Sequence, residues 1–351
     1  MLCPLASRTR VFAMHIARAY CVEADRVVDI YQARALFFAL DEPRRRFQFL
    51  CSDDACRVAN ATRVTGVNYD KLVEDERDRV VVKPHFRMNQ ETPYSTECEW
   101  LVRERAFEVL DSSAAEPEQR GRAHGYRHLK FSDLVDVFSP GCATTSATQS
   151  EGTESSGAAS LIQKASEAKY DAGLQRRQSS NPTRADFLDA VVSVYELLEA
   201  DERREAVLRI GRGPKLPYSR AFCRVEHYFS ARGDRIFHGG VRVRLHGPNF
   251  AVRFFDRVAA TNQGAAGEAL DVSLYLKRET VLEHWNGKFL IAQLSEAAKP
   301  GHYAHCYFFG RIQPHPAVNA RLIAVVESLD YLAFTVRRKV AALTDGNKGN
   351  K

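Results

Sequence analysis

Apolar positions at Ile30, Ala33, Leu36, Phe37 and Leu40 in DIYQARALFFAL follow the spacing of one helical face, and Pro43 ends the run. FQFLC then reads as a short strand leading into Cys51. RVANATRVTGVNYD reads as a hairpin around Gly66, and RVVVKPHF as a strand broken by Pro84. A helix is expected from Glu99 to about Leu110. Beyond Asp111 large apolar residues thin out, and GCATTSATQSEGTESSGAAS has almost none. Such a stretch cannot bury enough surface to offset its ordering entropy. Residues 111–182 are therefore expected to be largely flexible linker, 141–158 above all, with LIQKASEAKYDAGL as a short helix inside it.

Helical periodicity returns after Thr183, a plausible N-cap, with Phe187, Val191, Val194, Tyr195 and Leu198 on one face. Past Gly211 the period shortens to two. AFCRVEHYFS, RIFHGGVRVRL, NFAVRFFDRV, DVSLYLKRET and HCYFFGRIQ read as five strands, with a helix in VLEHWNGKFLIAQL between the fourth and fifth. Gly239-Gly240 reads as a bulge or bend. PAVNARLIAVVESLDYLAF reads as a closing helix, and residues 341–351 as a frayed tail. Five strands and a helix match an OB-like barrel, a count that other β-rich folds share. The expected class is α+β: a small N-terminal domain over 1–110, the linker, and a β-rich domain over 183–340 flanked by helices.

Composition narrows the class. The chain has 351 residues, 45% hydrophobic and 27% charged, which suits two soluble globular domains. No apolar run reaches membrane-spanning length. The N-terminus mixes basic with apolar residues and makes a poor secretory signal, so a cytoplasmic location is expected. The net charge of +6 is uneven: residues 1–110 are balanced, 111–204 carry −4 and 205–351 carry +10. The last third is therefore where a polyanion would bind.

The chain has eight cysteines. In a reducing compartment, clustered cysteines read as metal ligands and scattered ones (Cys3, Cys21, Cys142, Cys223, Cys306) as ordinary thiols. Cys51 and Cys56 form a C-x4-C knuckle, and His85 and Cys98 follow at positions that could close a tetrahedral site. Four protein ligands would make that site structural, holding Zn2+. The alternative is two buried thiols and a hydrogen-bonded core histidine.

The order DIYQARAL, FQFLCSDDACRVANATRV and KPHFRMNQETPYSTEC resembles the N-terminal region of the competence-protein CoiA family over residues 20–105. The resemblance implies a zinc-finger-like module. Relatives often place a further histidine between HF and the last cysteine, where RMNQETPYSTE has none. No nuclease signature follows: Glu167-Ala168-Lys169 lies in the linker, which cannot fix carboxylates around a metal.

In VRVRL, Arg242 and Arg244 point to one face and Val241, Val243 and Leu245 to the other. Arg224 and Tyr228 on the preceding candidate strand, Arg253 and Arg257 on the next and Lys277 on a later one extend the basic set. Cations for phosphate and rings for stacking suit single-stranded nucleic acid; the plainer reading is an arginine-rich solvated face. Tyr307, Phe308 and Phe309 read as core, and His227, His238, His302 and His305 as separate sheet histidines. No Ser/His/Asp, Cys/His or paired-carboxylate order names a reaction, so no catalytic residue is assigned. The leading expectation is a non-catalytic nucleic-acid-binding protein. A protein–protein adaptor of a defence or mobile-element system and a nuclease-related enzyme with an unrecognised site stand as alternatives.

Overall fold

A computed structural model describes residues 15–74, 83–89, 91–101, 135–140, 184–259, 269–318 and 321–338. They form a mixed helix-and-strand chain dominated by sheets, none of which closes into a barrel. The chain divides into two compact units, Met1–Asp70 with Lys83–His124, and Lys71–Val82 with Gly125–Lys351. Among the described residues no helix is long and apolar enough to cross a membrane.

The first unit is built on an antiparallel sheet of β1 (His15–Ile16), β2 (Arg18–Cys21), β3 (Arg26–Asp29), β4 (Phe49–Cys51), β5 (Arg63–Val67) and β7 (His85–Met88). Their order is β1-β7-β5-β4-β2-β3. Helix α1 (Ile30–Ala39) forms where its periodicity predicts. Its N-terminus is closed by a capping box: the Asp29 carboxylate accepts from Tyr31 and Gln32 N–H, and the Gln32 side chain accepts from Asp29 N–H. The expected hairpin around Gly66 is instead a helix, α2 (Asp54–Asn60), followed by β5 with Gly66 inside it. The glycine serves packing: a Cβ there would lie 2.8 Å from the Phe49 ring and 3.1 Å from Tyr69. Those rings belong to an edge-to-face cluster with Phe37 and Phe86. Of the helix expected at Glu99, only the first turn lies in the described residues.

In the second unit a small sheet holds β8 (Val137–Phe138), β9 (Arg184–Ala185), β10 (Val207–Ile210) and β11 (Lys215–Pro217) in the order β11-β10-β8-β9. β8 and the buried Val135 and Phe138 fall inside the expected linker; residues 141–183, with its expected short helix, lie outside the described residues. Helix α3 (Leu188–Leu197) starts five residues after Thr183, because Arg184–Ala185 pair with β8 instead. Short helices α4 (Glu202–Glu205) and α5 (Tyr218–Ala221) flank β10 and β11.

The long sheet comprises β6 (Val73–Glu74), β12 (Phe222–Arg224), β13 (Ile236–His246), β14 (Asn249–Val258), β15 (Leu270–Leu276), β16 (His302–Phe309), β17 (Arg311–Pro314), β18 (Arg321–Val325) and β19 (Leu332–Arg338). The order is β17-β18-β15-β14-β13-β16-β19-β6, with β12 beside the start of β13. Four of the five expected strands form at length; AFCRVEHYFS is a three-residue strand followed by a 3-10 helix. The expected closing helix is β18 and β19. Burial alternates in β18, with Leu322 and Ala324 inside, and runs unbroken over the first five residues of β19, so strand pairing prevails over the helical reading. Gly239 and Gly240 lie within β13, where a Cβ on Gly240 would meet the Phe255 ring at 2.9 Å.

One face of this sheet carries Val241, Val243, Val252, Phe254 and Leu274 and packs on α7 (Gly287–Ala297), which follows α6 (Arg278–Leu282). Burying each such side chain contributes about 1.5–3 kcal/mol. On the other face α3 covers β16 and β19, where the Glu196 carboxylate accepts from the Tyr307 hydroxyl at 2.8 Å and the Thr335 hydroxyl at 3.1 Å, with Arg337 3.5 Å away. Beside it His238 Nδ1 lies 2.9 Å from His305 Nε2. The two histidines, distant in sequence, are therefore neighbours in the sheet. Burial pushes them down to about 3 and about 4, with Arg224 acting in the same direction on both.

Gly66→Ala is expected to cost about 1–3 kcal/mol in denaturant unfolding, because the aromatic cluster has no room for a methyl group. The histidine pair also sets an acid sensitivity. Below pH ~6.5 the unfolded chain takes up protons that the folded pair refuses, so stability falls with pH until about 4. The expected slope is at most roughly 1.4 kcal/mol per pH unit for each histidine. Unfolding midpoints measured between pH 7 and 4.5 should show it, and His238→Gln with His305→Gln should flatten the curve.

Candidate metal centre and cationic sheet face

Cys51 ends β4, and its N–H donates to the Thr62 carbonyl at 2.8 Å. Two residues on, Asp53 caps α2, accepting from Cys56 N–H at 3.2 Å, which turns Cys56 back towards Cys51. The other Asp53 oxygen accepts from Glu99 N–H at 3.3 Å, so one carboxylate ties the knuckle to the segment carrying Cys98. That segment is held again by Trp100 Nε1 donating to Ser52 Oγ and by Ser52 Oγ donating to Glu99, both at 2.9 Å. Ser95 N–H points at Cys56 Sγ, 3.3 Å away.

Cys51, Cys56 and Cys98 are buried free thiols whose sulfurs all lie within 4.8 Å of one another, close enough to hold a metal ion. Cys51 Sγ and Cys98 Sγ are 3.7 Å apart. The structure does not bring His85 to them. Cys51 lies opposite residue 62, whereas His85 pairs with Val67, about 17 Å further along the sheet at 3.3 Å per residue. His85 Nδ1 is 2.7 Å from the Lys83 carbonyl. The expected Cys3His set is thus three cysteines, and no fourth Cys, His, Asp or Glu donor joins them among the described residues. Cys21 and Cys306 are buried outside the cluster and Cys223 is half-buried; Cys3 and Cys142 lie outside the described residues.

The basic residues separate into two groups. Arg242 on β13 faces Arg253 on β14, and Arg244 stands one step further towards the hairpin tip. Phe255, 51% exposed, and Tyr275, 47% exposed, lie among them, and Arg242 Cζ sits 6.0 Å from the Phe255 ring centre. Asp271 binds Arg253 at 2.6 Å and Arg257 at 2.8 Å, which holds its carboxyl below the usual carboxylate range. Arg242 and Arg244 have no acidic partner among the described residues. Elsewhere, Arg224 pairs with Asp256 at 3.0 Å and Glu226 at 3.1 Å. Tyr228 packs half-buried on Phe237, and Lys277 stands exposed at the start of α6. Phe255, Tyr275 and Asp271 are missing from the sequence-derived set, although the alternation RFFDR and DVSLYL already places them beside the arginines.

Comparison with protein-family models, with curated proteins and with solved structures finds no match to this chain.

Cys51→Ser, Cys56→Ser and Cys98→Ser are each expected to weaken metal binding at least tenfold in competition with a chelating dye, with His85→Ala unchanged. Burial pushes the Cys51 and Cys56 thiols up, so a metal ion must displace their protons. Affinity should therefore rise with pH, and binding should release protons measurable in weakly buffered solution.

Proposed function

We propose that this chain is a non-catalytic single-stranded nucleic-acid-binding protein whose contact surface is the uncovered face of β13, β14 and β15. The carrying observation is the register pairing of Arg242 with Arg253, next to Arg244 and interleaved with the exposed rings of Phe255 and Tyr275. Unpaired guanidinium groups attract backbone phosphates, and half-exposed rings offer stacking platforms indifferent to base identity. Arg253 and Arg257 are shared with Asp271, which orients them and lowers the net charge of that end of the face. Arg224 is engaged by Asp256 and Glu226, Tyr228 packs on Phe237, and Lys277 follows Tyr275 by two residues at the edge of this surface.

The cysteine cluster is read as the zinc site of the CoiA-like module of the resemblance, with three tetrahedral positions filled by sulfur and the fourth, which a structural site needs, supplied from outside the described residues. A tetrahedral zinc thiolate with Zn–S near 2.3 Å has sulfur–sulfur edges of about 3.8 Å, and the Cys51–Cys98 separation of 3.7 Å fits that spacing. Buried sulfurs with fixed hydrogen-bond partners favour a resident ion that stabilises the fold. Zinc would be held by Cys51, Cys56 and Cys98.

A second reading, a protein-binding adaptor, would use the exposed apolar side chains of these strands, Leu245, Phe255 and Tyr275. The two readings differ in salt dependence. The full chain is expected to bind a labelled single-stranded oligonucleotide with affinity falling steeply with salt. Arg242→Glu with Arg244→Glu should weaken it and reduce the log–log salt slope by about 1.4, two contacts at 0.7 each. Absence of binding at low salt would reject the nucleic-acid reading.

A further inference from the structure

At the opposite end of β13 lies a cavity of about 470 Å³, within the size range of small-ligand sites. Part of its wall is aromatic: Tyr228, Phe229 and Phe237 form one group of touching rings, and Phe309 and Tyr331 another. Four charged residues join them, Arg235 and Arg311 with Asp234 and Glu327. Phe229 is 47% exposed although it packs on Tyr228 at 5.4 Å. The cavity also depends on glycine: a Cβ on Gly310 would lie 2.2 Å from the Val325 carbonyl, and Gly233 turns the chain with φ +70°.

We infer that this cavity binds a nucleotide, a planar base stacked on the exposed Phe229 ring with its phosphate on Arg235 and Arg311. Rings alone would suit any flat apolar molecule, and an aromatic cage for an ammonium group would not carry two guanidinium groups. A nucleotide uses every element present. Its base stacks, its phosphate pairs with arginine, and its ribose hydroxyls and exocyclic amines donate to Asp234 and Glu327. Arg311 stands 4.0 Å from Glu327, a loose pair that leaves guanidinium donors available to phosphate. Arg235 donates to the Asp234 carbonyl at 2.8 Å, which anchors one nitrogen of its planar head.

The site is separate from the arginine face. Phe237 and Arg242 are five positions apart on β13, about 17 Å. The ligand is a free mononucleotide or the terminal nucleotide of a strand, the same chemistry from two sources.

The experiment is calorimetric titration of the full chain with adenosine 5′-monophosphate, with adenosine and inorganic phosphate as separate probes. One saturable site is expected for the nucleotide, with each fragment binding at least tenfold more weakly. Phe229→Ala and Arg311→Glu change exposed side chains, so the fold should persist by circular dichroism; each should weaken the nucleotide about tenfold or more, as expected from losing a stacking or charged contact. Arg242→Glu with Arg244→Glu should leave that affinity unchanged while impairing oligonucleotide binding, so the two sites fail independently. Competition by a short oligonucleotide assigns the terminal nucleotide of a strand, and no competition assigns the free nucleotide. No saturation at millimolar nucleotide, or equal affinity in the folded Phe229→Ala and Arg311→Glu variants, would overturn the inference.

Discussion

The second unit depends on the pairing of one long strand. β13 runs eleven residues and hydrogen-bonds to β12 and β14 along one edge and to β16 along the other. Its first half is locked between neighbours on both sides, and its second half continues as a ribbon with β14 to a tight turn at Gly247. A slip of one residue would exchange the two faces, moving Val241 and Val243 into water and Arg242 and Arg244 into the core. The burial of that apolar set against α7 therefore fixes the register, and the register fixes where every arginine stands.

The two faces then take different roles. The face on α7 is apolar and continuous. The opposite face is covered by α3 over β16, β19 and the start of β13, where Tyr195 meets His238 and a buried carboxylate collects the hydroxyls of Tyr307 and Thr335. A buried charge persists only when its hydrogen bonds are made, so Glu196 orients α3 on the sheet as well as attaching it. Where α3 ends its cover, the arginine and aromatic side chains of β13 and β14 are left to solvent. The surface proposed for nucleic acid is thus the part of this face that α3 and the small sheet leave open among the described residues.

In the first unit a smaller device does comparable work. Asp53 uses both oxygens, one to start α2 and one to hold the segment of Cys98, and so brings three sulfurs together from positions up to 47 residues apart. A metal ion bound there would reinforce a geometry that hydrogen bonds already set.

Much of this was legible in the residues themselves. Alternation placed β13 to β16, helical periodicity placed α1 and α7, and the cysteine spacing pointed to all three clustered sulfurs. The failures share one cause: a pattern local in sequence was decided by a contact distant in it. Gly66 reads as a turn until the rings of Phe49 and Tyr69 are seen to need its missing Cβ. The segment Arg321–Arg338 has residues that suit a helix, but β15 and β16 offered it strand partners. His85 has ligand chemistry and a plausible spacing, yet antiparallel pairing carries it to the far end of the sheet from Cys51. His238 and His305, 67 residues apart, look unrelated until β13 and β16 set them side by side. Sequence determined which residues alternate and which cluster along the chain. Only the tertiary structure decided which of them meet, because strand register is a property of pairs of segments and neither segment carries it alone.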